Sequence, residues 1–274
     1  MRGLWTRFFQ HDAHHQLRLV TSWGNGSHAI LKGQLRVERA SYQPGHASSL
    51  ELALRACNFV VYIIEPEHLS TPQLVQELRD LAKICRETEV ERLVVVSCGS
   101  MLSGQVGVSL YDEAGLPPLV GAEVSPLLSS RIAAELELFR FAAEGLNLVT
   151  LYPSLVWRPE DAGFRAALAQ APAHTEVSVL STSQLVLAVW RALVLGKAGR
   201  RFALSECVAS VDELTQHMAG AQRKKRHMSH VPSRFLDPLS RSVTLNSSAS
   251  RQVLGLSAVS DIQALRLMRG EENT

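Results

Sequence analysis

The chain has 274 residues, with 46% hydrophobic content, 20% charged residues and a formal net charge of +2. These values predict a soluble globular protein, long enough for one α/β domain with a small lobe and without a transmembrane segment. The small positive charge does not indicate a nucleic-acid partner. The basic run at residues 223–226 is interpreted as a solvated surface, because no aromatic platform accompanies it.

The four cysteines are widely spaced and include no Cys-x-x-Cys pair. This pattern predicts free buried thiols in an intracellular, reducing compartment, either the cytoplasm or the mitochondrial matrix. Residues 1–16 are basic and contain no acid before Asp12. Such a segment is compatible with a mitochondrial presequence and with an ordinary N-terminal arm, so it does not decide between the two compartments. No metal is expected, since three histidines here lack a cysteine or acidic partner at ligand spacing. They are His11, His14 and His15.

The first predicted strand, at residues 17–21, is followed by a turn that contains Gly24 and Gly26. Glycines after the first strand of an open α/β sheet let the backbone approach a pyrophosphate at a helix N-terminus. These two glycines are therefore the candidate cofactor-binding residues. The alternative is a turn that binds no ligand, because Trp23 occupies a position at which a phosphate-binding loop needs a small residue.

The middle of the chain alternates strands and helices, which predicts a doubly wound parallel sheet. Residues 91–97 form a β-branched run typical of a buried parallel strand, and residues 147–151 give the next strand. Amphipathic helices are predicted beside them at residues 73–88 and 129–144. In the first of these helices, the periodicity places Glu77 on the exposed face.

The central strand and the helix after it resemble the catalytic segment of the extended short-chain dehydrogenase/reductase family. This family includes sugar-nucleotide epimerases, dehydratases and 3β-hydroxysteroid dehydrogenases. Its helix begins with Tyr-x-x-Ser-Lys-x-x-x-Glu, and Ser130, Arg131 and Glu135 align with that motif. The alignment places the family's catalytic tyrosine on Leu127, its lysine on Arg131 and its catalytic serine on Gly99.

The resemblance implies that the family's acid–base groups are missing from this chain. Leu127 has no proton to transfer, Gly99 has no hydroxyl, and the positive charge of Arg131 cannot be tuned as that of a lysine can. Since general acid–base groups contribute about 10² to 10⁴-fold each, little hydride chemistry is expected. A rearranged site would have to use other residues together with Arg131. The candidates are Ser97, Ser100 and Tyr111.

The resemblance also argues against a bound cofactor. The family's glycine motif is two residues longer, and its first glycine falls on Ser22. One βα unit is missing after residue 33. The acidic residue that would accept a hydrogen bond from the ribose hydroxyl is missing with it. Ile64 and Glu65 add bulk and negative charge where a pyrophosphate would approach. No cofactor is therefore expected, with weak NAD(P) binding as the alternative.

The resemblance extends from residue 17 to residue 268. It implies an α/β fold with a Rossmann-like doubly wound parallel sheet, shortened at its N-terminal half, and a small C-terminal lobe. The predicted domains are an N-terminal arm at 1–16, a Rossmann-like NAD(P)-binding-type domain at 17–160, and a C-terminal lobe at 161–274 with segments that complete the sheet.

These combined losses predict a noncatalytic pseudoenzyme that acts as a structural or interaction subunit. One alternative is an NAD(P)-dependent oxidoreductase or isomerase with a rearranged active site, and another is a dinucleotide-sensing binding module. A protein partner or a second copy is expected on the helices at residues 73–88 and 129–144, because both keep apolar faces and family dimers pack through these helices. The alternative is that these faces pack on the chain's own sheet.

Overall fold

The computed structural model describes eight parts of the chain, called the described residues below. They are residues 17–22, 37–64, 71–99, 110–112, 126–158, 161–219, 239 and 244–257. The N-terminal arm with its histidines, the basic run at 223–226, and the candidates Gly24, Gly26 and Ser100 lie outside the described residues.

The described residues contain strands and helices in alternation. The strands are β1 (Leu17–Ser22), β2 (Val37–Tyr42), β3 (Phe59–Ile63), β4 (Arg92–Val96), β5 (Leu110–Asp112), β6 (Leu148–Pro153), β7 (Leu155–Val156), β8 (Glu176–Leu180), β9 (Arg201–Leu204), β10 (Cys207–Ser210) and β11 (Thr244–Asn246). The helices are α1 (Ala47–Leu54), α2 (Thr71–Glu87), α3 (Pro126–Ala143), α4 (Ala162–Gln170), α5 (Thr182–Leu195), α6 (Val211–Ala219) and α7 (Ser248–Leu254).

The central sheet is parallel, with the strand order β3-β4-β6-β9. A second parallel pair joins β1 to β2. Parallel neighbours need crossover connections, and the helices α2 and α3 supply them between β3, β4 and β6. The predicted Rossmann-like α/β class is therefore confirmed.

The two faces of the central sheet follow from the alternation of side chains along each strand. Leu93 and Val95 of β4 pack in a core with α1, α2 and α3. Val94 and Val96 point the opposite way and pack with residues of α5 and α7. Because both faces are covered, the four residues of β4 that follow Arg92 are all apolar and buried, as expected of a buried parallel strand.

A separate apolar core lies in the C-terminal half of the chain. It is formed by β7, β8 and β10 with α4 and α6. Trp157 and Phe164 meet edge to face within it, with ring centroids 5.6 Å apart. Asp161 caps α4 by accepting hydrogen bonds from the backbone N–H groups of Gly163 and Phe164. The division of the chain at residue 160 stays a prediction.

Two further observations bear on the sequence predictions. The four cysteines all lie among the described residues, and none forms a disulfide bond. Across the described ranges, none of the helices is both long and apolar enough to span a membrane.

Candidate functional site

The candidate site lies where β4 and β6 end and α3 passes over them. In open α/β sheets, ligands bind in the crevice outside the carboxyl ends of the strands. Ser97 follows β4 directly, and Tyr152 is the penultimate residue of β6. Glu135 of α3 reaches both of them, so three chain segments meet at one side chain.

Glu135 is the centre of a buried hydrogen-bond network. Its side chain is 2% exposed, and each carboxylate oxygen accepts one hydrogen bond. Ser97 Oγ donates to Oε1, and the Tyr152 hydroxyl donates to Oε2 at 2.7 Å. Burial raises the pKa of the Glu135 carboxyl, although the two hydroxyl donors and the charges of Arg131 and Arg201 oppose this effect.

Tyr152 is held as a neutral phenol in this network. It is 1% exposed, and burial together with the negative charge of Glu135 raises its pKa well above the ordinary value. A phenol with a raised pKa does not act as a base near neutral pH. Its proton is already donated to Glu135, so Tyr152 serves as a hydrogen-bond donor inside the protein.

Two arginines border the same carboxylate. Arg131 precedes Glu135 by one helical turn and is 5% exposed, yet its Nε has no hydrogen-bond partner. Arg201 of β9 lies over the Phe139 ring, with its guanidinium carbon 5.6 Å from the ring centroid. Its Nη1 is also buried without a partner. The charges of both arginines act on Glu135.

Gly99, on which the family's catalytic serine falls, has no room for a side chain. A Cβ there would lie 2.8 Å from the Pro153 carbonyl oxygen and 2.7 Å from Cδ1 of Leu245. Both distances are far below an ordinary van der Waals contact. The end of β6 and the strand β11 therefore fill the space that a serine hydroxyl would need.

Gly99→Ser, which restores the residue of the family, is expected to destabilise the protein by about 1–3 kcal/mol, because overpacking forces a neighbour to move. The Pro153 contact is with backbone, which cannot rotate away. Urea denaturation measures the change, and Ala143→Ser at the exposed end of α3 is the control. A Gly99→Ser protein as stable as the control would contradict the close contact.

The structure brings together only some of the candidate residues named in the sequence analysis. Ser97 and Arg131 both lie around Glu135. Tyr111 belongs to β5, where its backbone pairs with Leu245 of β11. Leu127 falls in the first turn of α3. The roles predicted for Tyr111 and Leu127 stay predictions.

Sequence reasoning missed the partners of Glu135 and a second buried acid. Glu77 of α2 was predicted to be exposed, and this was wrong, because it is 4% exposed. Its Oε1 accepts hydrogen bonds from the hydroxyls of Tyr42 and Tyr62, the latter at 2.5 Å. Burial raises the pKa of both tyrosines, so both remain donors. The signal in the sequence was two tyrosines close to the ends of consecutive strands.

Ile64, which was expected to oppose a bound pyrophosphate, belongs to the buried core. Ile64 is 4% exposed and packs in the core between the sheet and α2. Its bulk is therefore absorbed by the protein's own core, and it is not a barrier that a pyrophosphate would meet. Glu65 lies outside the described residues.

Comparison with known proteins finds likeness in structure rather than in sequence. No protein-family model and no curated protein sequence matches the chain. The UDP-glucose 4-epimerase of Thermotoga maritima, solved with UDP-glucose, has a TM-score of 0.72 at 15% identity, over 98% of this chain and 93% of that chain. The enzyme WbmG of Bordetella bronchiseptica, solved with NAD, has a TM-score of 0.71 at 17% identity, over 97% of this chain and 87% of that chain.

A nucleoside-diphosphate-sugar epimerase from Pseudomonas aeruginosa gives a similar result. Its TM-score is 0.69 at 18% identity, over 92% of this chain and 87% of that chain. At such identities the likeness establishes the fold and no more. The chain therefore has the Rossmann-like fold of nucleotide-sugar epimerases, as its resemblance to the extended short-chain dehydrogenase/reductase family predicts.

Proposed function

We propose that this chain is a noncatalytic protein with the fold of an NAD(P)-dependent epimerase, and that it acts as a structural or interaction subunit. The observation that carries the proposal is the closed position at Gly99. A Cβ at this residue would lie 2.8 Å from the Pro153 carbonyl oxygen, which leaves no space for a catalytic hydroxyl. The family that the chain resembles carries a catalytic serine at this position.

The state of the neighbouring hydroxyls supports the same proposal. Ser97 and Tyr152 both lie close to the closed position, and both donate to Glu135. A general acid or base needs a proton that it can exchange with the substrate, with a pKa near the working pH. Tyr152 has a raised pKa and 1% exposure, so it meets neither condition.

The alternative of a rearranged active site rests on one specific observation. Ser97, Tyr152 and Glu135 bring hydroxyl and carboxyl groups together, as proton transfer requires, and the positive charge of Arg131 acts on the carboxylate. The side chains of Ser97, Tyr152 and Glu135 are 1% to 8% exposed and are hydrogen-bonded to one another, so they could exchange a proton with a substrate only after a local opening of the chain. We therefore favour the noncatalytic role over the rearranged active site.

Turnover and binding measurements test the proposal. We expect no turnover of NAD(H) or NADP(H) with sugar nucleotides or hydroxysteroids, and dinucleotide binding weaker than about 1 mM, or about −4 kcal/mol. Calorimetry gives the affinity, and absorbance of the reduced nicotinamide gives the rate.

Two outcomes would contradict this expectation. Micromolar affinity without turnover would make the chain a dinucleotide-sensing module; the similar fold of WbmG was solved with bound NAD. Turnover that Ser97→Ala abolishes, while Ser48→Ala on the exposed face of α1 preserves it, would favour the rearranged site.

The proposed subunit role includes a partner, or a second copy, on the outward surface of α2 and α3. The two helices pack on each other and are bridged outside by ion pairs, Arg79 with Glu137 at 3.1 Å and Arg86 with Glu144 at 2.6 Å. Leu136 is 44% exposed on the same helix α3. A partner at this surface would therefore meet charges around a small apolar contact.

A further inference from the structure

Two arginines near Glu135 have buried hydrogen-bond donors that reach no acceptor. These donors are Nε of Arg131 and Nη1 of Arg201. Buried polar groups in folded proteins are nearly always paired, so each exception asks for an explanation. Arg131 is the stronger case, because its whole side chain is 5% exposed, whereas Arg201 is only partly buried.

The charges around Glu135 do not balance. Two guanidinium groups act on a single carboxylate, whose two oxygens already accept hydrogen bonds from Ser97 and Tyr152. The ion pairs found among the described residues include neither Arg131 nor Arg201. One positive charge is therefore left without a counter-charge there. A buried charge without a partner is costly, and an anion would offset that cost.

We propose that the Arg131 guanidinium binds a small oxyanion, the phosphate or carboxylate group of a ligand, at the carboxyl edge of the sheet. Arg131 lies in the second turn of α3, one turn closer than Glu135 to the start of the helix. The crevice outside the carboxyl ends of parallel strands is the usual ligand position in such sheets. The planar guanidinium matches the two oxygens of a carboxylate or phosphate group.

Arg201 has a different part in this site. Its guanidinium is stacked on the Phe139 ring, which fixes it beside Glu135. It supplies positive potential to the site without being the group that the anion contacts. This inference goes beyond the noncatalytic role, and its failure would leave that proposal standing, because phosphate binding and dinucleotide turnover are measured separately.

Thermal denaturation of the full chain with sodium phosphate, at constant ionic strength, tests the proposal. A ligand that binds only the folded state multiplies the folded-to-unfolded ratio by one plus its concentration over Kd, or about eleven-fold at ten times Kd. We expect a saturable rise in Tm with phosphate that chloride at the same ionic strength does not give. Acetate in a parallel titration separates a carboxylate site from a phosphate site. Equal curves for phosphate, acetate and chloride would overturn the proposal.

Arg131→Gln identifies the residue that holds the anion. This variant should lose the response to the anion. In chloride alone it should be at least as stable as the wild type, because it removes an uncompensated buried charge. Arg140→Gln, at an exposed position of the same helix, should keep the full response. A response that survives in Arg131→Gln would refute the assignment.

Calorimetry on the wild-type protein covers the case in which Arg131→Gln does not fold. Saturable heat on addition of the preferred anion is expected. Arg131→Lys, which keeps the charge but loses the planar pair of donors, should bind about ten-fold more weakly. Absence of heat with the wild type, together with no rise in its Tm, would overturn the proposal.

Discussion

Glu135→Ala is expected to lower the free energy of unfolding by about 3–5 kcal/mol, as when one partner of a buried charged cluster is removed. The substitution leaves the hydroxyls of Ser97 and Tyr152 buried without their acceptor. It also removes a carboxylate on which the charges of Arg131 and Arg201 act. Since domains are stable by only about 5–15 kcal/mol, urea denaturation should show a large shift of the midpoint. A loss below about 1 kcal/mol would mean that the network contributes little.

Glu135→Gln is the matched control, since it keeps the shape of the side chain and replaces one acceptor oxygen of the carboxylate with an amide NH2 donor. The folded-state pKa of Glu135 is raised, so its contribution to stability is present below the unfolded-state pKa and is lost as pH rises through the folded-state value. The stability advantage of the wild type over Glu135→Gln should therefore fall as pH rises above the ordinary glutamate pKa of about 4.3. An advantage that grows with pH would contradict the raised pKa.

The fold could be predicted because its signals are local. The β-branched run at residues 91–97 gave β4, and the amphipathic period at residues 73–88 gave α2, which the structure starts at residue 71 and ends at residue 87. Alternation along a strand and the 3.6-residue period of a helix are properties of neighbouring residues. The short strands β5 and β11 were missed, because three residues that pair across the chain carry no period of their own.

From the sequence, the candidate site could be predicted only at positions where the identity of a single residue decides the chemistry. A leucine at 127 and a glycine at 99 remove chemistry whatever their surroundings. The partners of Glu135 could not be found in this way, because Ser97 and Tyr152 lie 38 and 17 residues away in the chain. The hydrogen bond from Tyr152 to Glu135 depends on how β6 and α3 pack, which no local pattern shows. The crowding at Gly99 similarly depends on Pro153 and a strand more than 140 residues later.

Glu77 shows the limit of a periodic pattern. Helical period alone placed a charged residue outside, since ionised side chains are rarely buried without partners. Two tyrosines from strands that are consecutive in the chain, β2 and β3, supply those partners, and the hydroxyl of Tyr62 donates to its Oε1 at 2.5 Å. A buried polar group is tolerated once it is hydrogen-bonded, so tertiary contacts override the local rule.

Leu138→Ala is expected to cost about 2–5 kcal/mol without changing the mass of the particle in solution. Leu138 is fully buried, as is Leu74 of α2, and both pack in the core beneath the central sheet. The apolar faces of the two helices are thus filled by the chain itself. Substitutions there report on folding rather than on a partner, so an interface must be tested on the outward surface.

Leu136→Asp makes that test, because Leu136 is 44% exposed on α3. An exposed substitution changes stability by only about 0.5 kcal/mol, so any change of mass reflects association. If the outward surface of α2 and α3 joins two copies, light scattering should show a dimer for the wild type and a monomer for Leu136→Asp. Leu52→Asp on α1, where the leucine is 68% exposed, should remain dimeric. Equal masses for all three proteins, with no other protein retained by the wild type, would refute this surface as the interface. The reason is that a stable association buries about 800 Å² on each side and would not tolerate a new charge at its centre.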